Sequence, residues 1–287
     1  MTLSFEAATK AAVYASVLAT IGTGTAYWLV VPRAAGDDVP KGRADAERAL
    51  ARGGLIASLT AAGALMLRAW AHTAATFGFA DALARASLTA VVIGSRWGRS
   101  WQLQLACAIA CSGAFAYVWA SNGRRSAWLL ASGAGVALTI ALTLTGHAAG
   151  APRRMAIHVG HLLGGGAWLG TLASLAAIRP RVSTTLRASM FRAFSRVALT
   201  GAAALVATGI AAGWLYVGSF SNLTTTSYGQ VLLIKLALVA GAAACGFANW
   251  RSLQSGRPEP GRVVALELML AVAIVLTTAV LTETEHP

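Results

Sequence analysis

Eight stretches of roughly 20 apolar residues, near 11–31, 53–71, 101–120, 127–146, 157–178, 194–217, 229–250 and 263–282, dominate the chain. A helix of about that length crosses a ~30 Å hydrocarbon core. Within lipid every backbone N–H and C=O must be satisfied internally, so only helices or a closed barrel can span. Strand-period alternation is absent. The fold class is therefore an all-α, polytopic transmembrane helical bundle of about eight spans. Composition agrees: 56% of residues are hydrophobic and 11% charged, where a soluble domain carries about a quarter charged. Between 83 and 94 the apolar run is only about 12 residues long and is flanked by Arg85, Arg96 and Arg99. Such a length predicts a short interfacial segment near 80–95 rather than a ninth span.

The net charge of +13 would suggest nucleic acid in a soluble protein. Here the basic residues sit almost wholly in the connections, so the bilayer is the partner and nucleic acid is not. Connections after the first, third, fifth and seventh runs hold fifteen Lys and Arg, against six on the opposite face. The positive-inside rule makes the first face cytoplasmic and predicts both termini on the outer, periplasmic side of a bacterial inner membrane. Ahead of the first run stand only Glu6 and Lys10, with no basic n-region, and that run is expected to be a retained helix. Cys107, Cys111 and Cys245 lie inside apolar runs, which leaves no extracellular disulfide framework. Cys107 and Cys111, four apart, share a helix face and read as packing residues.

Two halves of four helices echo one another, giving a single integral membrane domain (1–287) with pseudo-repeats of about 1–125 and 126–287. Arg48 and Arg52 before the second run match Arg192 and Arg196 before the sixth, and Gly24 with Trp28 loosely matches Gly165 with Trp168. Ser95, Trp97, Gly98 and Gln104 mirror Thr226, Tyr228, Gly229 and Lys235. Parallel repeats of this kind are a transporter pattern.

Chemistry concentrates where the fourth and fifth runs meet. His147, His158 and His161 put three of the five histidines within fifteen residues, and the charge count assigns His72, His286 and these three to the outer side. His158 and His161 share a helix face, with Gly165 and Trp168 continuing the stripe. Imidazole suits Cu(II), zinc and haem iron, and thioether sulfur suits Cu(I). Met155, in the connecting loop, and His72 are therefore auxiliary candidates, with Met66 nearby in sequence. Lys235 and Glu267, ionisable groups within spans, are pathway or support candidates alongside Trp168 and Tyr228. Gly160 with Gly164, Gly166 with Gly170 and Gly209 with Gly213 are small-xxx-small pairs that predict close helix packing.

At these residues the sequence resembles the CopD family of multi-pass copper-resistance membrane proteins. The similar features are Thr145-Gly146-His147, His161 seven residues before Trp168, Arg192-Ala193-Phe194-Ser195-Arg196, and Tyr228-Gly229 through to Lys235. The likeness is strongest over about 145–250. It implies copper as the ion handled at the inner membrane, in company with a separate periplasmic copper-binding protein of the CopC type. No fused soluble copper-binding domain is expected, and no P-loop is present for nucleotide-driven pumping. The leading expectation is thus a copper permease rather than an enzyme. The alternative is a membrane oxidoreductase binding haem b, with His147 and either His158 or His161 as axial ligands, Trp168 along the macrocycle, and Arg153 and Arg154 at the propionates. A sensor or assembly subunit would need the same outer metal site.

Overall fold

The computed structural model describes residues 4–34, 40–145, 150–255 and 261–285. Its elements are α1 (Phe5–Ala34), α2 (Pro40–Phe77), the short α3 (Arg85–Val92), α4 (Arg96–Ala120), α5 (Arg125–Leu142), α6 (Pro152–Arg181), α7 (Thr184–Val217), the one-turn α8 (Asn222–Thr225), α9 (Ser227–Gln254) and α10 (Gly261–Leu281). Among the described residues there is no strand, and eight of the helices are long and apolar enough to span a membrane. The multi-pass helical bundle expected from hydropathy is the observed fold. The stretch near 80–95 forms the eight-residue α3, about 12 Å long at 1.5 Å per residue and too short to cross.

Two helices begin well before their apolar runs. α2 starts at Pro40 instead of about 53, and α7 at Thr184 instead of about 194. The added turns are amphipathic: Ala46, Leu50 and Ala51 are buried while Arg48 and Arg52 are exposed. A hydropathy window averages the two faces away, whereas tertiary packing needs only one apolar stripe.

Helix starts follow from local chemistry. Ser4, Ser95, Ser183 and Thr226 cap α1, α4, α7 and α9 by accepting from the backbone N–H three residues on, at 3.1, 2.8, 3.3 and 3.1 Å. Each satisfies one of the orphan donors of a first turn. α7 stops at Gly218, whose φ of +72° suits glycine.

α1 lies at the centre, packed on α2, α5, α6 and α10. Its crossing with α6 is a backbone-to-backbone contact. A Cβ on Gly22 would overlap the Gly170 carbonyl, and one on Gly170 would overlap that of Leu18. Around the crossing, Thr171 Oγ1 donates to the Gly22 carbonyl at 3.4 Å, and the Thr23 and Ser174 hydroxyls lie 3.2 Å apart. Small residues with hydroxyl bonding are how helices associate where lipid gives no hydrophobic drive. The largest apolar cluster draws on both halves, from Ala26 to Ile274. Lys10 meets Glu283 at 2.5 Å, so both described ends of the chain lie at one end of the bundle, called here the terminal face.

Each half contains one π turn, Ala26–Val30 in α1 and Gly166–Gly170 in α6. Each π turn carries a tryptophan whose indole N–H donates to the spanning helix three further along the chain. Trp28 reaches Ser132 of α5 at 2.9 Å, and Trp168 reaches Glu267 of α10 at 3.2 Å. In the first half Trp101 of α4 donates to the Leu65 carbonyl of α2 at 2.7 Å, fully buried. Trp101→Phe is expected to cost about 1 kcal/mol, the net worth of one such bond, measured as a fall in the thermal midpoint in detergent.

Candidate functional site

α6 opens at Pro152, which occupies its first turn without losing a needed donor. Met155 therefore lies inside the helix, one turn before His158, and not in the connecting loop. Met155, His158 and His161 follow one another at steps of three along one side of α6 near the terminal face, all partly buried. Both histidines turn toward α7. His158 Nε2 pairs with Tyr216 Oη at 3.0 Å, and His161 Nδ1 with Thr208 Oγ1 at 3.0 Å. The Arg154 guanidinium lies 5.7 Å over the Tyr216 ring.

The His161 pair has a definite polarity. Thr208 has one hydroxyl proton, and two backbone carbonyls compete for it, Ala204 at 2.6 Å and Leu205 at 3.2 Å, which favours donation to a carbonyl over donation to the ring. Its oxygen therefore accepts from His161, which makes Nδ1 the protonated nitrogen and leaves the Nε2 lone pair unused by Thr208. A histidine whose one nitrogen donates to an acceptor, fixing the tautomer, is the arrangement found behind metal-ligating imidazoles. Gly209 lies beside the ring: a Cβ there would stand 3.5 Å from His161 Cε1, in ordinary van der Waals contact.

Below the histidines the seam between α6 and α7 closes. A Cβ on Gly164 would come 2.9 Å from the Gly201 carbonyl oxygen, and one on Gly160 would meet Thr208 at 3.2 Å. The other predicted small-residue pairs divide: Gly166 and Gly170 face α1, while Gly213 has open space beside it. On α9, Lys235 is near enough for its charge to act on His161, and among the described residues it makes no ion pair. Tyr228 is buried in one apolar cluster with Tyr216. Tyr228 thus joins α9 to the Tyr216 corner of α7, with Lys235 seven residues further along α9.

Trp168 lies elsewhere. It is seven residues beyond His161, in the π turn, and its indole binds Glu267, whose other carboxylate oxygen accepts from Asn249 Nδ2 at 3.0 Å. The extra residue of a π turn breaks the i, i+3, i+4 stripe on which Trp168 was aligned with the histidines. Glu267 and Trp168 form a second polar centre, deeper in the bundle.

His72 belongs to the first half. Its Nδ1 meets Glu6 Oε1 at 2.6 Å, and its ring stacks on Trp97 at 4.1 Å between centroids. Met66 is exposed on α2. His147 and His286 lie outside the described residues, and with His147 lies the haem pairing that depends on it. Among the described residues no three His, Cys, Asp or Glu side chains gather as a metal centre.

Tyr216, Thr208 and Glu6 escaped the sequence reading. For Tyr216 the signal was present: it stands twenty residues after Arg196, as His72 stands twenty after Arg52. Lining up the halves gives the pairs His72 with Trp97 and Tyr216 with Tyr228 at corresponding corners, and each is met by α1 or α6. Glu6 serves the first and His158 the second. No sequence signal marks Thr208, because its partnership is set by the rotation of α7 against α6.

Comparison with known proteins places the chain in a family. Residues 1–154 match the family described as "Copper resistance protein D-like, N-terminal domain", and residues 188–281 match "Copper resistance protein D". The first match extends the likeness through the whole N-terminal half, beyond the 145–250 region where motifs alone carried it. The chain is also similar to "Copper transport protein CutJ" of Bacillus subtilis (strain 168), 27% identical over 158 residues. That alignment takes in 52% of this chain and 29% of the relative, so the chain spans well under half of that protein's length.

Proposed function

This chain belongs to the copper resistance protein D family, and on that footing we propose that it moves copper across a bacterial plasma membrane. Uptake starts at the terminal face, which the arginine count makes periplasmic. His161 Nε2 is the primary ligand, with His158 and Met155 along the same side of α6 and His147 as the ligand supplied by the preceding connection. His72 belongs to the opposite half and serves there as an auxiliary. The cargo passes between α6 and α7 toward Trp168 and Glu267, with Tyr228 and Lys235 beside the route, which requires the glycine seam closed in this structure to part. A mixed imidazole and thioether set accepts copper in either oxidation state. A separate periplasmic CopC-type protein is the proposed donor.

The observation that carries this reading is the Thr208 bond at His161 Nδ1, which favours the tautomer whose Nε2 lone pair is not taken up by Thr208. Lys235 fits a transport site better than a storage site, since a cation beside the ligand opposes tight retention of copper.

The test is copper flux into vesicles carrying the purified protein, read against empty vesicles and against zinc, with an absorption spectrum of the same sample. Copper-selective flux supports the permease. Stoichiometric copper binding without flux makes the protein a sensor or assembly subunit, and a Soret band that disappears in His161→Ala makes it a haem b cytochrome. Within the site, Tyr216→Phe removes the partner of His158. It is expected to weaken copper binding roughly tenfold, as loss of an outer-shell hydrogen bond does, measured by titration in detergent.

A further inference from the structure

The two π turns hold equivalent tryptophans, but their acceptors differ in kind. Trp28 donates to Ser132, a neutral hydroxyl, eighth residue of α5; Trp168 donates to Glu267, seventh residue of α10. A serine is therefore enough to anchor a π-turn tryptophan in this fold. The carboxylate in the second half exceeds what the structure requires.

Its surroundings point to what it does. Glu267 is 2% exposed, six residues into α10 and so about 9 Å along the helix axis from its start. No Lys, Arg or His pairs with it among the described residues; its carboxylate is held by two neutral N–H donors, Trp168 at 3.2 Å and Asn249 at 3.0 Å. The titratable group that feels its charge is the Cys245 thiol, one turn before Asn249 on α9. Gly246 leaves the space beside it, since a Cβ there would lie 3.2 Å from Oε1. Asn249 is itself buried, 7% exposed, and its Oδ1 has no hydrogen-bond partner among the described residues. Ionisable groups at such depth are costly to keep, and they mark ion and proton paths.

The orphan oxygen matches a second protonation state. With Glu267 ionised, Asn249 Nδ2 donates to Oε2 and Oδ1 is left over. With a proton on Oε2, a half-turn of the amide brings Oδ1 to accept the new O–H across the same 3.0 Å, with no backbone movement. One pocket accommodates both states of one carboxyl.

We propose that Glu267 is a proton-binding site that couples cargo movement to proton movement, with Asn249 as its two-way partner and Trp168 as its link to α6. A proton from the aqueous phase joins Oε2, giving a neutral acid, and returns to water when the carboxylate reforms. Trp168 donates to that carboxyl and lies on the helix that bears His161 seven residues away, about 10 Å along the axis, so the state of Glu267 bears on the helix holding the ligand. The coupling rests on the copper reading; proton binding does not.

The experiment separates the two. Infrared difference spectra of the reconstituted full chain, without copper, are taken across a pH titration for wild type, Glu267→Gln and Asn249→Leu. Wild type should show a protonated-carboxyl C=O band that is lost as pH rises. That band should be missing in Glu267→Gln and shifted in frequency in Asn249→Leu, which keeps the acid if Glu267→Gln fails to fold. A wild type without such a band, or an unchanged band in Glu267→Gln, overturns the site. Copper flux is then compared with and without a pH gradient. A several-fold response in wild type that falls to none in Glu267→Gln supports coupling, and an intact response in that variant overturns it. If wild type passes no copper, coupling falls with the transport reading while the infrared result still decides proton binding.

Discussion

Replacing His161 by Ala is expected to bring copper uptake by reconstituted vesicles down to that of empty vesicles while the protein stays folded and inserted. In the proposed site the imidazole is one of a small set of ligands, and its Nε2 is the nitrogen not engaged by Thr208. Removing it takes away both the donor atom and the orientation that α7 imposes. Folding should survive, because the ring is partly exposed and its side-chain partner is a threonine whose hydroxyl retains the Ala204 carbonyl. Thr208→Val makes the complementary test. It leaves the ligand in place and frees its ring, so copper binding should weaken by about 10- to 100-fold, the usual cost of an outer-shell change. The measurement is copper flux together with chromatographic monodispersity of each variant. Wild-type flux in a monodisperse His161→Ala protein would remove this residue from the transport mechanism.

The second large effect concerns the crossing of α1 and α6. Gly22→Val should destabilise the protein on the order of 3 kcal/mol, at the upper end of overpacking costs, because its Cβ would fall on the Gly170 carbonyl, an unyielding backbone group. The only relief is to part the helices, and with them the hydroxyl bonds from Thr171 and between Thr23 and Ser174. α6 bears the candidate ligands at one end and the Glu267 anchor in its middle, so the shift would disturb both centres. Gly63→Ala and Gly113→Ala are the controls. Both sites have nothing within 4 Å, and the helix preference for alanine should leave stability level or raise it by up to about 1 kcal/mol. Thermal unfolding in detergent distinguishes the outcomes. Equal midpoints for Gly22→Val and the controls would mean that the crossing is not a backbone contact.

The amphipathic starts of α2 and α7 show where reading along the chain stops short. Hydropathy located every span but placed these two starts 13 and 10 residues late, because a one-sided apolar stripe averages to neutral. Repeat patterns fared similarly. Arginine pairs and the Ser95 and Thr226 segments suggested an alignment of the halves, yet the correspondence of His72 with Tyr216 emerges only when His72 is seen beside Trp97 and Tyr216 in one cluster with Tyr228.

By itself the sequence determined the class of fold, the number of spans, the sidedness of the arginines and the concentration of histidines near the start of α6. Each of these depends on residue type and on spacing along one segment, which the chain displays directly. Tertiary structure alone decided what those groups meet: Thr208 behind His161, Tyr216 behind His158, and Trp168 turned away to Glu267 and Asn249. The physical reason is helix rotation. A π turn or the close approach of two glycines re-aims a whole helical face, and neither the rotation nor its partner is written in the periodicity of a single strand of sequence.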